Sequence, residues 1–180
     1  MIILSCYNWE LALLICGIDP GLTGYAVTLS TTTTKAYILP LSVNKDKAFD
    51  SKLLRRFLFD HKPDLVVLEK PIGRGIGRAT AIYNQGVIYG QIWESIKLMP
   101  HRRVDPKAWQ KLLHEGISPK IDAKARSLIS YQQLWPHEPI PKKTLKTKEV
   151  DHNAIDAMLM ATYGVLKFGD DKSIKRWVFT

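Results

Sequence analysis

Two apolar runs in this chain end on an acid: Leu11 to Ile18 closes on Asp19, and Leu65 to Leu68 closes on Glu69. A carboxylate at the end of a buried strand is costly to desolvate unless it is paired, hydrogen-bonded or bound to a metal. If the two runs are adjacent parallel strands, their C-terminal ends coincide, where open α/β sheets bind ligands. Asp19 and Glu69 are then neighbours, and their repulsion in a partly buried site favours a divalent cation between them. A third acid, Asp156, lies in the late segment VDHNAIDAML, with Asp151, His152 and Asn153 just ahead of it. At about 100° per helical residue His152 and Asn153 share a face with Asp156, whereas Asp151 would point away if the helix already began there. Asp151 is also a good N-cap, and a cap lies outside the helical screw, so the angle does not exclude it. Asp151 is therefore the expected fourth acid, with His152 and Asn153 as alternatives.

Three or four such ligands suit magnesium or manganese. Two ions about 3.5–4 Å apart perform in-line displacement at phosphorus, one activating water and the other stabilising the leaving oxygen. Singly, each acid reads as well as a strand-end or surface charge. Two strand ends and one helix face carrying acids together are the signal.

The elements that must position these acids follow from periodicity. Leu11 to Asp19, Tyr25 to Ser30 and Ala36 to Leu41 read as three sequential strands, the last after a turn at Thr31 to Thr34. Phe49 to His61 carries Leu53, Leu54, Phe57 and Leu58 at helical spacing, and Leu65 to Glu69 is a short apolar strand. Ala79 to Leu98 predicts a long helix with Ile82, Val87, Ile88, Ile92 and Ile96 near one face, followed by a fifth strand at Arg102 to Val104. Pro106 to His114, Ala123 to Leu134 and Asn153 to Lys167 read as helices. Pro136 to Lys148 is a connection with little regular structure expected. The order describes a mixed sheet flanked by helices, an α/β layered domain.

The bulk numbers agree with one such domain in 180 residues. Lys plus Arg number 26 against 17 Asp plus Glu, a net charge of +9 that favours a polyanionic partner such as nucleic acid. No apolar run approaches the roughly 20 residues that span a bilayer, so no membrane association is expected. Cys6 and Cys16 match no zinc or redox motif, and a reduced, cytoplasmic compartment is the simpler expectation. The opening MIILSCYNWE lacks the basic region and cleavage site of a secretion signal.

CGIDPGLTGYAV, PDLVVLEKP and DHNAIDAMLMA, in that order and at those intervals, resemble the RuvC-type Holliday junction resolvases of the RNase H-like nuclease superfamily. The D-P-G-x-T-G element is the most specific of the three. The resemblance runs from about Leu11 to Phe168, leaving residues 1–10 as an N-terminal extension and 169–180 as a charged tail. It implies an RNase H-like mixed five-stranded sheet flanked by helices. It also implies a homodimeric, metal-dependent endonuclease that resolves four-way DNA junctions by paired symmetric nicks, with two Mg2+ or Mn2+ ions per site. The long helix from Ala79 is the implied dimer interface.

By that similarity Asp19, Glu69 and Asp156 take the places of three metal ligands. The family's fourth is an Asp or His three residues before the last; Asn153 stands there, which moves the expectation to Asp151, then His152. The departure suggests a divergent branch, such as phage or organellar relatives. Family lysines that contact or polarise the scissile phosphate correspond most nearly to Lys111 and Lys124, with Lys107 and Lys120 as rivals. A lysine so placed stabilises charge developing on phosphate oxygens.

The loop KPIGRGIGRATAIYNQG, with Arg74 and Arg78, is suited to tracking a phosphate chain. Its alternating glycines do not fit a dinucleotide fingerprint. The resemblance implies that this region enters the junction centre, which makes Tyr83, Asn84 and Gln85 candidates to hold unpaired bases, though Tyr83 reads equally as core. The KKTLKTK run, Lys142 to Lys148, suits salt-sensitive phosphate contacts. Other RNase H-like nucleases acting on branched DNA or RNA–DNA hybrids are the nearest rival reading, and a non-catalytic junction-binding protein is the next. An actin-like kinase would need a second phosphate loop and about twice the length.

Overall fold

Leu14–Asp19 forms β1, whose four interior residues are all buried because helices cover both of its faces. The computed structural model describes residues 13–21, 23–32, 36–41, 49–71, 79–143 and 147–169. Around β1 stand β2 (Tyr25–Ser30), β3 (Ala36–Pro40), β4 (Leu65–Glu69) and β5 (His101–Val104), in the spatial order β3-β2-β1-β4-β5. β1, β2 and β3 pair antiparallel as a meander, while β1–β4 and β4–β5 are parallel. The helices are α1 (Ser51–His61), α2 (Ala79–Ile96), α3 (Pro106–Leu113), α4 (Ala123–Leu134) and α5 (His152–Phe168). The five-stranded mixed sheet flanked by helices is the arrangement anticipated from sequence.

Strand alternation divides the core in two. Ile15, Val27, Leu29, Leu65 and Val67 pack with Trp109 of α3, Tyr131 of α4 and the buried side of α5. Cys16, Ile18, Ala26, Val66 and Leu68 pack with Leu54, Phe57 and Leu58 of α1 and with Ile88, Ile92 and Ile96 of α2. On the first face α5 lies very close to the sheet. A Cβ on Gly17 would stand 2.8 Å from the Ala157 carbonyl oxygen, and one on Gly164 would meet Ile15 Cγ2 at 2.5 Å.

The structure departs from the sequence expectations in a few places. Ile82 and Val87 are exposed, not buried, and Tyr83 is 71% exposed, so it is not core. The α2 sequence is apolar on more than one side, and periodicity alone does not select the face that meets the sheet. Leu166, near the end of α5, also reaches solvent. Within Pro136 to Lys148, Lys142 forms an isolated antiparallel bridge with Val150, and the Asp151 N–H donates to the Pro141 carbonyl at 2.9 Å. That small hairpin fixes where α5 begins. Residues 1–12, Arg74 and Arg78, the middle of the KKTLKTK run and the tail beyond Gly169 lie outside the described residues. Among the described residues no helix is long and apolar enough to cross a membrane.

Candidate active site

The parallel register between β1 and β4 sets Ile18 beside Leu68, so the next residues, Asp19 and Glu69, stand at one level. Both continue the alternation of Ile15 and Gly17, and of Leu65 and Val67, and so belong to the face that α5 covers. Asp156 lies on the first turns of α5. The three acids thus come from two strand ends and the helix across them, as the sequence suggested.

Their electrostatics show the proximity. Burial pushes the Asp19 carboxyl up to about 8, with the charges of Glu69 and then Asp156 adding to it and the Gly21 N–H opposing. That N–H donates to Asp19 Oδ1 at 3.2 Å inside the turn after β1. The Gly24 N–H closes the turn on the Gly21 carbonyl at 2.9 Å, and a Cβ on Gly24 would collide with the Asp19 carbonyl. Glu69 is pushed up to about 7 by burial, with Asp156 and Asp105 contributing; the Trp109 indole, donating to Glu69 Oε2 at 2.9 Å, works against the rise. Burial also raises Asp156, offset by the Ser127 hydroxyl and by the nearby charges of His152 and Lys124.

Among the described residues no three His, Cys, Asp or Glu side chains are placed around a common point that would hold a metal ion. The donors nevertheless fit a hard divalent cation in kind. They are carboxylates that raise one another's proton affinity, and Asp156 Oδ1 is buried with no hydrogen-bond partner.

The residues ahead of Asp156 have separate surroundings. Asp151 is buried and caps α5, its Oδ1 accepting from the N–H groups of Asn153 and Ala154 at 3.2 Å each. Its Oδ2 accepts from the Tyr25 hydroxyl at 2.5 Å, joining β2 to the helix start. Burial, then the bond to Asp151, push the Tyr25 phenol up, which keeps it a proton donor. Asn153 Nδ2 donates to the carbonyl of Thr23 at 3.1 Å and to its hydroxyl, tying α5 to the β1–β2 turn. His152, one helical turn before Asp156, has a buried Nδ1 with no hydrogen-bond partner.

Of the lysines, Lys124 is the one whose charge acts on Asp156. It sits in the first turn of α4, whose N-cap Asp122 accepts from the Lys124 N–H at 2.9 Å. Lys107 and Lys111 of α3 instead line a cavity between α3 and α4, and Lys120 is exposed in the turn before α4. Asn84 is exposed and Gln85 half-buried on α2. Trp109, Ser127, Tyr25 and Thr23 were not singled out by the sequence. Their roles depend on contacts across the fold, and only the indole and phenol, as polar tips on otherwise apolar side chains, carry any signal that a buried partner is required.

No protein-family model matches the chain, and no curated protein sequence matches it. Solved structures do match its fold. RuvC of Thermus thermophilus in complex with a Holliday junction substrate is 12% identical with a TM-score of 0.55, covering 87% of this chain and 95% of that one. A second Thermus thermophilus RuvC structure is 16% identical with the same TM-score, over 87% of this chain and 97% of that one. The fowlpox virus Holliday junction resolvase is 16% identical with a TM-score of 0.40, over 87% and 98%. From the order of its five strands and the overlap with the two Thermus structures, the chain has the RuvC-type, RNase H-like α/β fold.

Proposed function

We propose that the chain is a metal-dependent endonuclease that resolves four-way DNA junctions by paired nicks. The observation that carries this reading is the β1–β4 register, which sets Asp19 and Glu69 level with each other beneath the helix that carries Asp156. The fold shared with Thermus RuvC and the net charge of +9 support a DNA substrate.

Asp19, Glu69 and Asp156 would hold Mg2+ or Mn2+. Bound there, a pair of ions would supply an activated water and offset charge on the leaving oxygen. The chain's own groups do the rest. The Trp109 indole orients Glu69, the turn after β1 orients Asp19, and the Ser127 hydroxyl favours the charged form of Asp156. Lys124 would lend positive charge to the phosphate beside Asp156. For the fourth donor the surroundings favour His152: Asp151 is occupied with the helix cap and Tyr25, Asn153 with Thr23, while His152 Nδ1 has no hydrogen-bond partner.

A two-fold substrate suits a two-fold enzyme, and a homodimer through α2 is part of this proposal. Ile82, Tyr83 and Val87 are exposed there, with Gly86 and Gly90 open on the same helix. Exposed Asn84 and half-buried Gln85 would then stand near the junction centre.

The test is nicking of a synthetic mobile four-way junction, a linear duplex and an RNA–DNA hybrid, with magnesium and with EDTA, mapped to single nucleotides. Symmetric magnesium-dependent nicks in the junction alone are expected. Preferential cutting of the hybrid would assign a different nuclease, and tight junction binding without any nick would assign an architectural protein.

A further inference from the structure

Outside the acid cluster, one feature of the described residues without an assigned role is the cavity between α3 and α4. It measures about 330 Å³ and is lined by Lys107, Gln110, Lys111, His114 and Arg126, with Ile117 among its apolar walls. No acidic side chain lines it among the described residues. Lys107 and Lys111 are exposed at its rim, whereas His114 is only 5% exposed at its wall. Two polar atoms of this lining are buried with no hydrogen-bond partner: Arg126 Nε and His114 Nδ1. A guanidinium N–H is an obligate donor, and leaving one buried and unmet is costly unless an acceptor arrives from outside the chain.

The cavity also communicates with the acids. Ser127 Oγ lies 3.5 Å from His114 Nε2, and the same hydroxyl is near enough to Asp156 to lower its proton affinity. On the other side the His114 ring packs edge-on against Trp109, the residue that donates to Glu69. An anion seated against His114 and Arg126 therefore stands one side chain away from two of the three acids.

We propose that this cavity is a phosphate subsite that receives a backbone phosphodiester of the bound strand other than the one being cut, with Arg126 as its principal donor. A tetrahedral phosphate with its sugar fits the volume, and the fork of Arg126 flanked by two lysines matches the planar and point-charge donors that phosphates recruit. The DNA source of the phosphate rests on the nuclease reading; the anion site itself does not. His114 and Arg126 thereby gain a binding role that neither the acid cluster nor the shared fold assigns. Seating a second phosphate would fix the strand's register over Asp156 through Ser127.

Two measurements test it. Inorganic phosphate is titrated into the full chain at constant ionic strength set with chloride, and the His114 ring resonances are followed by NMR. Saturable shifts are expected in the unaltered protein, with the midpoint raised at least about tenfold in Arg126→Gln. Separately, binding of a labelled four-way junction in EDTA is measured across salt concentrations. The slope of log K against log salt should fall by about 0.9, one phosphate contact, in Arg126→Gln and not in Lys52→Gln on distant α1. Lys111→Gln, at an exposed rim position, repeats both measurements if Arg126→Gln does not fold. Phosphate shifts with an unchanged junction slope would overturn the DNA assignment and leave a small-anion pocket. Absence of saturable phosphate shifts would overturn the site. A protein that fails to nick junctions but shows the phosphate response would sink the nuclease reading alone.

Discussion

Helices α5 and α2 are of nearly equal length, lie on opposite faces of the sheet, and are both largely apolar, yet the fold uses them differently. Ten of the 17 residues of α5 are buried, against three of the 18 in α2. The small residues of α5 meet the sheet backbone: Ala157 and Ala161 lie over Gly17, and Gly164 fits against Ile15. The small residues of α2, Gly86 and Gly90, have nothing within 4 Å of where a Cβ would be. A helix seated that closely has one position available to it, so α5 can carry Asp156 at a fixed height over Asp19 and Glu69. A helix held by one row of isoleucines keeps its other side for something else. Composition assigns the two the same character, and packing separates a helix pressed against the sheet from one that leaves most of its surface exposed.

The largest effect should come from α5. Asp156→Asn is expected to lower junction nicking by at least about 100-fold, with junction affinity in EDTA nearly unchanged, because in the proposed reaction the lost charge would serve an ion and not the DNA. Nicking within tenfold of the unaltered protein would detach α5 from the chemistry. Next in size, Gly164→Ala should destabilise the fold by about 1–3 kcal/mol in urea titration, since the new methyl would meet Ile15 Cγ2 at 2.5 Å and Val67 Cγ2 at 2.9 Å.

On the other helix, Ile82→Asp with Tyr83→Asp should halve the sedimenting mass and leave the urea midpoint in place. A dimer that survived would show that α2 faces solvent alone. Gly90→Ala should add about 0.5–1 kcal/mol to the stability of isolated protomers through helix propensity, opposite in sign to the change on α5.

Acidity gives a subtler contrast. Asp19 and Glu69 have raised folded-state values, about 8 and about 7, against ordinary values of 3.8 and 4.5. The folded chain then holds protons that the unfolded chain releases, so metal-free stability should fall as pH rises from about 4 to 8 and level off above. Asp19→Asn should flatten that decline. Magnesium should raise the melting temperature more at pH 8.5 than at pH 5.

Much of this was legible before any coordinates. A continuous apolar run that ends in acid announces both a central strand and the level of its charge, so Asp19 and Glu69 could be read from LICGID and LVVLE. Asp156 could be read because it is a third acid on a helical stretch, in a segment, DHNAIDAMLMA, that resembles a resolvase motif. The competition among Asp151, His152 and Asn153 was not legible. It turns on Tyr25, 126 residues away, and on Thr23, 130 away, and no local pattern encodes those partners. Arg126 and His114 were hidden for the same reason, being ordinary members of helical stretches until α3 and α4 fold against each other. The exposed side of α2 was misread because an all-round apolar helix has no unique inward face.

The indole of Trp109, 1% exposed and bonded to Glu69, has a practical consequence. An indole bonded to a carboxylate should change its emission when that carboxylate is protonated or drawn away toward a cation. With the other four tryptophans replaced by phenylalanine, this side chain would let cation loading be followed optically in real time, without any nucleic acid in the cuvette.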